Sequence, residues 1–316
     1  MPPPWPRSSA CDGRHGARRR AAVKLTVRVP ATVANLGPGF DSMALALDLV
    51  NAVHLDTDTD GVAAVTIQGE GAGELPGDHS NLIVRTMAFL AHEAGGRLPP
   101  FALRCSNTIP LERGLGSSAA AVVAGLLLAD RLLGSALPDD RLLGLAVDLE
   151  GHADNVAAAL RGGAVVAYLS SSGWKAEPLE PSEPLGRLRP VLLIPEHERV
   201  ATQEARRVLT PDVPRAAASF NVARAALLVT ALTRRPELLP EALQDRLHQQ
   251  ARLRLAPASR ALFADLEEAG VPVCVAGSGP TLLAFEGPGW TVPELGPGWR
   301  VLRVAVRAAG AEIEGA

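Results

Sequence analysis

PLERGLGSSAAAVVAGLLLADRLLG, from Pro110 to Gly134, joins a loop with closely spaced glycines to a long apolar run. No charged residue stands between Ser117 and Ala129, so the run predicts a helix that is buried on most sides. Glycines before a helix permit positive φ and let the backbone come close to a ligand. A helix N-terminus also offers unpaired N–H groups and the positive end of the helix dipole. The stretch therefore predicts an anion cradle suited to phosphate.

Other glycine loops compete with this interpretation. A Walker A loop is excluded, because no lysine follows the last glycine. The residues GLGSSA from Gly114 fit the dinucleotide pattern GxGxxA, but TIPLER separates them from the preceding strand candidate. The acidic residues at the expected distance, Asp139 and Asp140, follow a proline and predict a helix start instead. A glycine turn that only caps a core helix stays open for this stretch taken alone.

The composition is that of a globular protein. The 316 residues are 47% hydrophobic and 21% charged, which allows one large or two ordinary domains. The longest uncharged apolar run, Ala119–Ala129, is shorter than the ~18–20 residues that a membrane span needs. The cysteines Cys11, Cys105 and Cys274 lie far apart, and none has metal-ligand spacing. We therefore expect free thiols and a cytoplasmic location, without a membrane partner.

Charge is distributed unevenly along the chain. The first 20 residues hold five Arg and one Asp, a net +4, whereas the whole chain has a net charge of −3, so the remainder carries −7. An acidic body argues against nucleic acid as a partner. The basic segment is open to interpretation as a nucleic-acid arm or a transit-like segment. Its Pro, Gly and Arg content favours a disordered and dispensable tail over residues 1–23.

Strand and helix patterns mix along the rest of the chain without regular βαβ spacing, which predicts an α+β protein. Alternation in KLTVRV, from Lys24, predicts the first strand. The Pro- and Glu-rich segment EPLEPSEPLGRLRP predicts a boundary between domains at 24–178 and 179–316. In the second half, helical segments are expected near 202–209, 215–232, 237–248 and 259–269.

The glycine loop is accompanied by three further motifs in a fixed order. These are VPATVANLGPGFDSMALAL from Val29, EGHADNVAAALRGG from Glu150 and CVAGSGPTLLAF from Cys274. Together they resemble the homoserine kinases of the GHMP kinase family, and the resemblance runs from about Lys24 to Val306. It implies a two-domain GHMP kinase fold. The N-terminal, ATP-binding domain would be like the second domain of ribosomal protein S5, and the C-terminal domain ferredoxin-like.

The resemblance implies ATP and Mg²⁺ as cofactors. Mg²⁺ prefers oxygen ligands, and the resemblance places it on Glu150 and Ser118; Glu150 could otherwise be a solvated acid at a helix end. The residues expected to bind the ATP phosphates are Pro110, Leu111, Glu112, Arg113, Gly114, Leu115, Gly116, Ser117, Ser118, Ala119 and Ala120.

The resemblance also implies an amino-acid acceptor, L-homoserine. It places Asn35 and Asp41 at the amino end, and Arg206 and Arg252 at the carboxylate, which arginine binds through two parallel hydrogen bonds. Asp41 could otherwise be the N-cap of a helix that begins in SMALAL. Thr202, four residues before Arg206 on the same helix face, would contact the acceptor. The motif around Arg252 reads HQQAR, where family members commonly have HQPYR.

The position that carries an Asp in mevalonate-type relatives is Asn155 here. An amide cannot be a general base, so the resemblance gives Asn155, with Glu150 and Thr202, a catalytic role that depends on positioning. Asp154 is adjacent and keeps a base mechanism open. A loose, metaphosphate-like transition state needs little help from a base.

Two other functions remain open on the sequence. One is a different GHMP small-molecule kinase, of the mevalonate or diphosphocytidyl-methylerythritol type. The other is a non-catalytic binding protein on the same fold. Asp41, Arg206 and Arg252 argue against the first, because those substrates have no α-amino-acid end. The resemblance further suggests a homodimer.

Overall fold

The computed structural model describes residues 22–59, 64–180 and 189–315. The predicted basic tail, 1–23, lies outside the described residues except for its last two positions. Most of the proline-rich segment that predicts the domain boundary also lies outside them. The division into domains at 24–178 and 179–316 therefore stays a prediction.

The first sheet has seven strands. Five follow the order β11-β1-β2-β4-β3, and β5 pairs with β2 and with β6. All pairs are antiparallel except β3 with β4. The strands are β1 (Lys24–Ala34), β2 (Met43–Asp56), β3 (Ala64–Gly69), β4 (Ala102–Asn107), β5 (Ala164–Ser170), β6 (Gly173–Leu179) and β11 (Glu312–Gly315).

Four helices accompany this sheet: α1 (Leu82–Glu93), α2 (Ser117–Leu133), α3 (Asp139–Glu150) and α4 (Asp154–Arg161). The apolar run after the glycine loop is α2, as predicted, and it begins at the residue after Gly116. Its core residues, among them Val123 and Leu126, are fully buried together with Val27 and Val33 of β1. This packing fixes the start of α2 at the end of the sheet.

The second sheet has four antiparallel strands in the order β10-β7-β9-β8. They are β7 (Arg189–Pro195), β8 (Val273–Val275), β9 (Leu282–Glu286) and β10 (Trp299–Arg303). The helices of this half are α5 (Thr202–Arg207), α6 (Arg215–Thr233), α7 (Leu239–Ala242), α8 (Gln249–Leu253) and α9 (Pro257–Glu268), with a 3₁₀ turn at Pro236–Leu238. Apolar side chains of α9, Leu262 and Phe263, share a buried cluster with Val191 and Val273 of the sheet.

The expected helix over 237–248 is wrong. The structure has only the 3₁₀ turn and the single-turn α7 there, followed by an irregular segment. Asp245 explains the difference, because its carboxylate accepts backbone N–H groups from Leu247, His248 and Gln249 at 2.8–3.1 Å. Such local bonds compete with the helix for the same donors.

Two further features depart from the sequence pattern. SMALAL begins strand β2 at Met43, so the alternative of Asp41 as a helix N-cap is wrong. Glu312–Gly315 near the C-terminus returns to pair with β1 of the first sheet, although those residues lie beyond the family resemblance.

Among the described residues, one helix, α6, is long and apolar enough to cross a membrane by length and composition alone. The sequence pattern did not single it out, because Arg224 interrupts its apolar run. A single helix of this kind is weak evidence for a membrane span, since helices of soluble proteins pass the same test.

Candidate active site

Three of the quoted motifs meet around Gly277, in the turn between β8 and β9. Its N–H donates to the carbonyl of Ala34 at 3.2 Å, at the end of β1. Its own carbonyl accepts from Asn35 Nδ2 at 3.0 Å and from Arg252 Nη1 at 2.6 Å. A cavity of about 270 Å³ opens beside this junction. Segments far apart in sequence therefore build one site between the two sheets.

The glycine loop forms one wall of the cavity. Gly114 has a φ of +72°, and a Cβ there would lie 2.0 Å from the carbonyl oxygen of Ala276. Gly116 has a φ of +73° and is the N-cap of α2, whose first turn receives no side-chain cap. Ser117 and Ser118, which begin the helix, line the cavity. The first N–H groups of α2 thus have no side-chain cap, which is the arrangement that binds an anion at a helix N-terminus.

A carboxylate and a hydroxyl converge where the phosphates would lie. Ser118 Oγ donates to Glu150 Oε2 at 2.8 Å. Glu150 is the last residue of α3, and burial raises its pKa above the usual range, which the hydrogen bond from Ser118 partly offsets. A hard divalent cation binds such oxygens and completes its shell with water and phosphate. The oxygens of this pair fit Mg²⁺. Among the described residues, no group of three or more His, Cys, Asp or Glu could hold a metal ion.

The segment from His152 to Asn155 forms the floor of the cavity. Asp154 is buried, and the loss of hydration raises its pKa to about 6. His152 Nδ1 lies 3.6 Å from Asp154 Oδ1; burial lowers the pKa of this imidazole and favours its neutral form. Asn155 Oδ1 accepts a hydrogen bond from Thr32 Oγ1 of β1 at 2.8 Å. The floor therefore holds two titratable groups and one fixed amide.

Asp41 and Arg206 form an ion pair across the cavity mouth. Arg206 Nη2 donates to Asp41 Oδ1 at 2.8 Å, and Nη1 to Oδ2 at 3.3 Å. Both side chains are a little over one-third exposed. Asn35 Oδ1 accepts from the N–H of Asp41 at 3.0 Å and so fixes the loop that presents the carboxylate. The resemblance assigns Asp41 and Arg206 to opposite ends of one ligand. In the structure, the carboxylate of Asp41 and the guanidinium of Arg206 bind each other.

Arg252 lies deeper than Arg206. It is buried, and its guanidinium lies over the Phe40 ring, 5.4 Å from the ring centre. Its Nη1 lies 3.3 Å from His248 Nδ1, and His248 Nε2 in turn lies 2.7 Å from the Gly37 carbonyl oxygen. Burial lowers the pKa of Arg252 to about 10, which leaves it charged at neutral pH. No carboxylate among the described residues is hydrogen-bonded to Arg252.

Most of the predicted site residues line this one cavity. They are Asn35, Asp41, Pro110, Glu112, Arg113, Gly114, Leu115, Gly116, Ser117, Ser118, Glu150, Asn155, Thr202, Arg206 and Arg252. Leu111 and Ala120 line a second cavity instead. Ala119 lines neither, and its side chain is fully buried in the core.

The second cavity has a volume of about 350 Å³ and shares Glu112, Ser117 and Ser118 with the first. Its other walls come mainly from the segment before α1, from the start of α1 and from α2, and include Pro76, Leu82 and Ala124. The lining is largely apolar, with Asn81 and Asn107 among the polar groups. The two cavities thus adjoin at the N-terminus of α2.

Sequence reasoning missed several residues of the site. Thr32, His152 and Ser278 lie within the quoted motifs, but no pattern assigned them a role. Gln203 follows Thr202 on α5 and lines the cavity. Spacing could not mark Thr32, because its partner, Asn155, is 123 residues away in the sequence.

Comparison with known proteins agrees with the fold and the motifs. The sequence model of the GHMP kinases N terminal domain matches residues 81–163. The chain is 42% identical over 303 residues to a homoserine kinase of Streptomyces avermitilis, covering 94% of this chain and 97% of the relative. It is 45% identical over 272 residues to one of Streptomyces coelicolor, with coverages of 85% and 86%.

Solved structures give the same result. The crystal structure of homoserine kinase from Cytophaga hutchinsonii superposes with a TM-score of 0.76 at 27% identity, covering 96% of this chain and 100% of that one. Mevalonate diphosphate decarboxylase from Staphylococcus aureus, at 16% identity and a TM-score of 0.66, shares the fold. The predicted α+β fold of the GHMP kinases is confirmed. With relatives this similar over nearly its whole length, the chain belongs to the homoserine kinases of the GHMP kinase family.

Proposed function

We propose that this chain transfers the terminal phosphoryl group of ATP to the side-chain hydroxyl of L-homoserine, a step of threonine biosynthesis. The hydroxyl oxygen forms a bond to the γ-phosphorus, the bond to the β,γ-bridging oxygen breaks, and ADP and O-phospho-L-homoserine leave. The observation that carries the proposal is the pairing of two cationic residues and one anionic residue, Arg206, Arg252 and Asp41, with a phosphate-type glycine loop in one cavity.

The glycine loop would bind the ATP phosphates through its backbone. Gly114 and Gly116 supply the positive φ of the loop at positions where a Cβ would collide with Ala276 and Thr32, and the uncapped start of α2 supplies N–H donors. The second cavity adjoins this point and is largely apolar, which suits the nucleoside. A base and ribose in that cavity would place the triphosphate along Ser117 and Ser118.

Ser118 and Glu150 would hold Mg²⁺. The cation supplies neutralising charge for the phosphates when bound. Ser118 and Glu150 themselves already lie 2.8 Å apart at the start of α2. Little rearrangement of the protein is needed for both oxygens to face one ion.

The charged groups at the opposite side would bind the amino-acid end. Asp41 offers a carboxylate for the ammonium, and Asn35 holds the Asp41 backbone in place. Arg206 and Arg252 offer guanidinium groups for the substrate carboxylate, which must be paired in a cavity of this kind to offset lost hydration. Thr202 lies one turn before Arg206 on α5, near the acceptor.

The reacting hydroxyl would lie between the phosphates and Asn155. An amide can orient this hydroxyl but cannot take its proton at neutral pH. Asp154 has a raised pKa and lines the same cavity, so it is the candidate if a base is used. The proton otherwise leaves with the phosphate product, as a loose transition state permits.

The same proposal includes a cytoplasmic location. Cys105 and Cys274 are buried and unpaired, as expected in a reducing compartment. A homodimer, which the family resemblance suggests, stays part of the proposal without support from the contacts described above.

A coupled ADP-release assay with homoserine, mevalonate and galactose, each tested alone, examines the proposal. We expect turnover with homoserine and no turnover with mevalonate or galactose. Turnover with mevalonate or the sugar would favour a different GHMP kinase. ATP binding without turnover on any acceptor would favour a binding protein on this fold.

A further inference from the structure

The backbone and side chain of Thr32 connect the glycine loop with the catalytic amide. Thr32 lies in β1 and is fully buried. Its N–H donates to the carbonyl of Leu115, within the glycine loop, at 3.1 Å. Its hydroxyl donates to Asn155 Oδ1 at 2.8 Å. One residue therefore contacts both the phosphate side and the acceptor side of the cavity.

Gly116 provides the space that this contact needs. A Cβ at Gly116 would lie 2.0 Å from Thr32 Oγ1 and 3.3 Å from Asn155 Oδ1. The hydroxyl thus lies directly under the N-cap of α2. The absence of a side chain at Gly116 therefore leaves room for the Thr32–Asn155 bond.

The hydrogen bond decides which end of the amide faces the substrate. Asn155 lines the cavity, and its Oδ1 is engaged by Thr32. No described residue accepts a hydrogen bond from Asn155 Nδ2, so the NH₂ group is left for the ligand. An amide held in this way is a donor toward the reacting oxygens. If the amide were rotated end for end, its carbonyl oxygen would face the phosphoryl oxygens. Those oxygens are also hydrogen-bond acceptors and are negatively charged, so the contact would be repulsive.

We propose that Thr32 is a positioning residue for phosphoryl transfer, which holds Asn155 with Nδ2 toward the hydroxyl and the transferred phosphoryl group. The inference rests on the proposed function for the identity of the reacting groups. It assigns Asn155 the role of hydrogen-bond donor, and it gives the hydroxyl of Thr32 a role in kcat that its methyl group does not share.

Thr32→Val, which replaces the hydroxyl by a methyl of similar size, is the test. It should lower kcat about tenfold, equivalent to about 1.4 kcal/mol, while KM for ATP and for homoserine stay within about twofold. Thr32→Ser keeps the hydroxyl and should recover most of the loss. In an Asn155→Ala background, Thr32→Val should have no further effect, because the amide it orients is gone.

Thr86→Val is the matched control. Thr86 is also buried, in α1, and its hydroxyl has no hydrogen-bond partner among the described residues. The same change there should leave kcat and both KM values unchanged. If Thr32→Val lowers the melting temperature markedly more than Thr86→Val, Thr32→Ala takes its place in the kinetic comparison.

A spectroscopic measurement separates this inference from the proposed function. The side-chain NH₂ signals of Asn155, identified by their loss in Asn155→Ala, should shift or broaden in Thr32→Val and remain in Thr32→Ser. This result does not depend on which acceptor is phosphorylated. A wild type that is inactive on homoserine would overturn the proposed function, whereas unchanged NH₂ signals in Thr32→Val would overturn the role of Thr32. Unchanged kcat in Thr32→Val, or an equal loss in the Asn155→Ala background, would overturn it as well.

Discussion

Replacing Arg206 by alanine gives the most direct test of amino-acid recognition in this site. Arg206 binds Asp41 through two hydrogen bonds in the structure. A bound amino acid would bring its own carboxylate to Arg206 and its own ammonium to Asp41. Arg206→Ala should therefore lower kcat/KM for homoserine, whereas KM for ATP should change little, because the glycine loop lies on the other side of the cavity.

The structure sets the size of this effect. Truncating one partner of a buried, hydrogen-bonded charge pair costs about 2–5 kcal/mol. Arg206 is partly exposed, with 38% of its side chain accessible, which favours the low end of the range. Binding must also break the Asp41–Arg206 pair, and an exposed pair of this kind contributes about 0.2–1 kcal/mol, which the variant no longer loses. The net loss should be about 1–3 kcal/mol, or about 5- to 150-fold in kcat/KM.

The assay is steady-state ADP release with each substrate varied in turn. Arg206→Lys should recover only part of the loss, since an ammonium lacks the planar pair of donors. Arg207→Ala is the matched control, because Arg207 is exposed on the same helix and does not line the cavity. A large loss of kcat/KM in Arg207→Ala, together with no loss in Arg206→Ala, would refute the assignment of Arg206 to the substrate carboxylate. If Arg206→Ala, Arg207→Ala and Arg252→Ala all leave kcat/KM for homoserine unchanged, recognition of an amino acid at this site is refuted.

Four further substitutions test other parts of the cavity. Gly116→Ala should weaken ATP binding measured by titration, because its Cβ would lie 2.0 Å from Thr32 Oγ1 and the glycine loop would have to shift. Normal affinity with a lower melting temperature would mean that the glycine only caps α2. Ser118→Ala and Glu150→Gln should both raise the Mg²⁺ concentration for half-maximal activity, and an unchanged Mg²⁺ titration would exclude them as ligands. Burial raises the pKa of Asp154 from 3.8 to about 6, so this group lowers the free energy of unfolding as pH rises from about 4 to 6. Asp154→Asn should therefore raise the melting temperature, relative to wild type, more at pH 7 than at pH 4. If it also removes an acidic limb from the pH–rate profile, Asp154 is the base.

The local patterns of the sequence predict much of the fold because they are decided by near neighbours. The alternation after Lys24 and the uncharged run of α2 each bury one continuous set of side chains. Prediction fails where a distant or competing partner decides. The segment 237–248 has helix-forming residues, but Asp245 accepts hydrogen bonds from two of its backbone N–H groups, those of Leu247 and His248. Strand β11 is four residues long and is defined by its pairing with β1 at the opposite end of the chain.

The site, like the fold, has a part that could be predicted from the sequence and a part that could not. The glycine loop could be identified from sequence, because its chemistry is carried by consecutive backbone groups. The contacts of the floor and mouth could not, because they join residues across long separations, 123 positions for Thr32 with Asn155 and 165 for Asp41 with Arg206. Motif positions give a side chain a role but not a partner. Only the folded chain shows that Asp41 and Arg206 satisfy each other.

That mutual pairing bears on how the site distinguishes its ligands. The acceptor side of the cavity holds two carboxylates, Asp41 and Asp154, and two guanidinium groups, Arg206 and Arg252. A zwitterion adds one charge of each sign, so it can divide the Asp41–Arg206 pair and leave each half with a new partner. A ligand with only an ammonium, or only a carboxylate, would divide the same pair and leave one protein charge without compensation, which is costly in a partly buried site. Under the proposed function, the Asp41–Arg206 ion pair thus favours amino acids over singly charged alcohols, and these are the same residues that are proposed to bind the substrate.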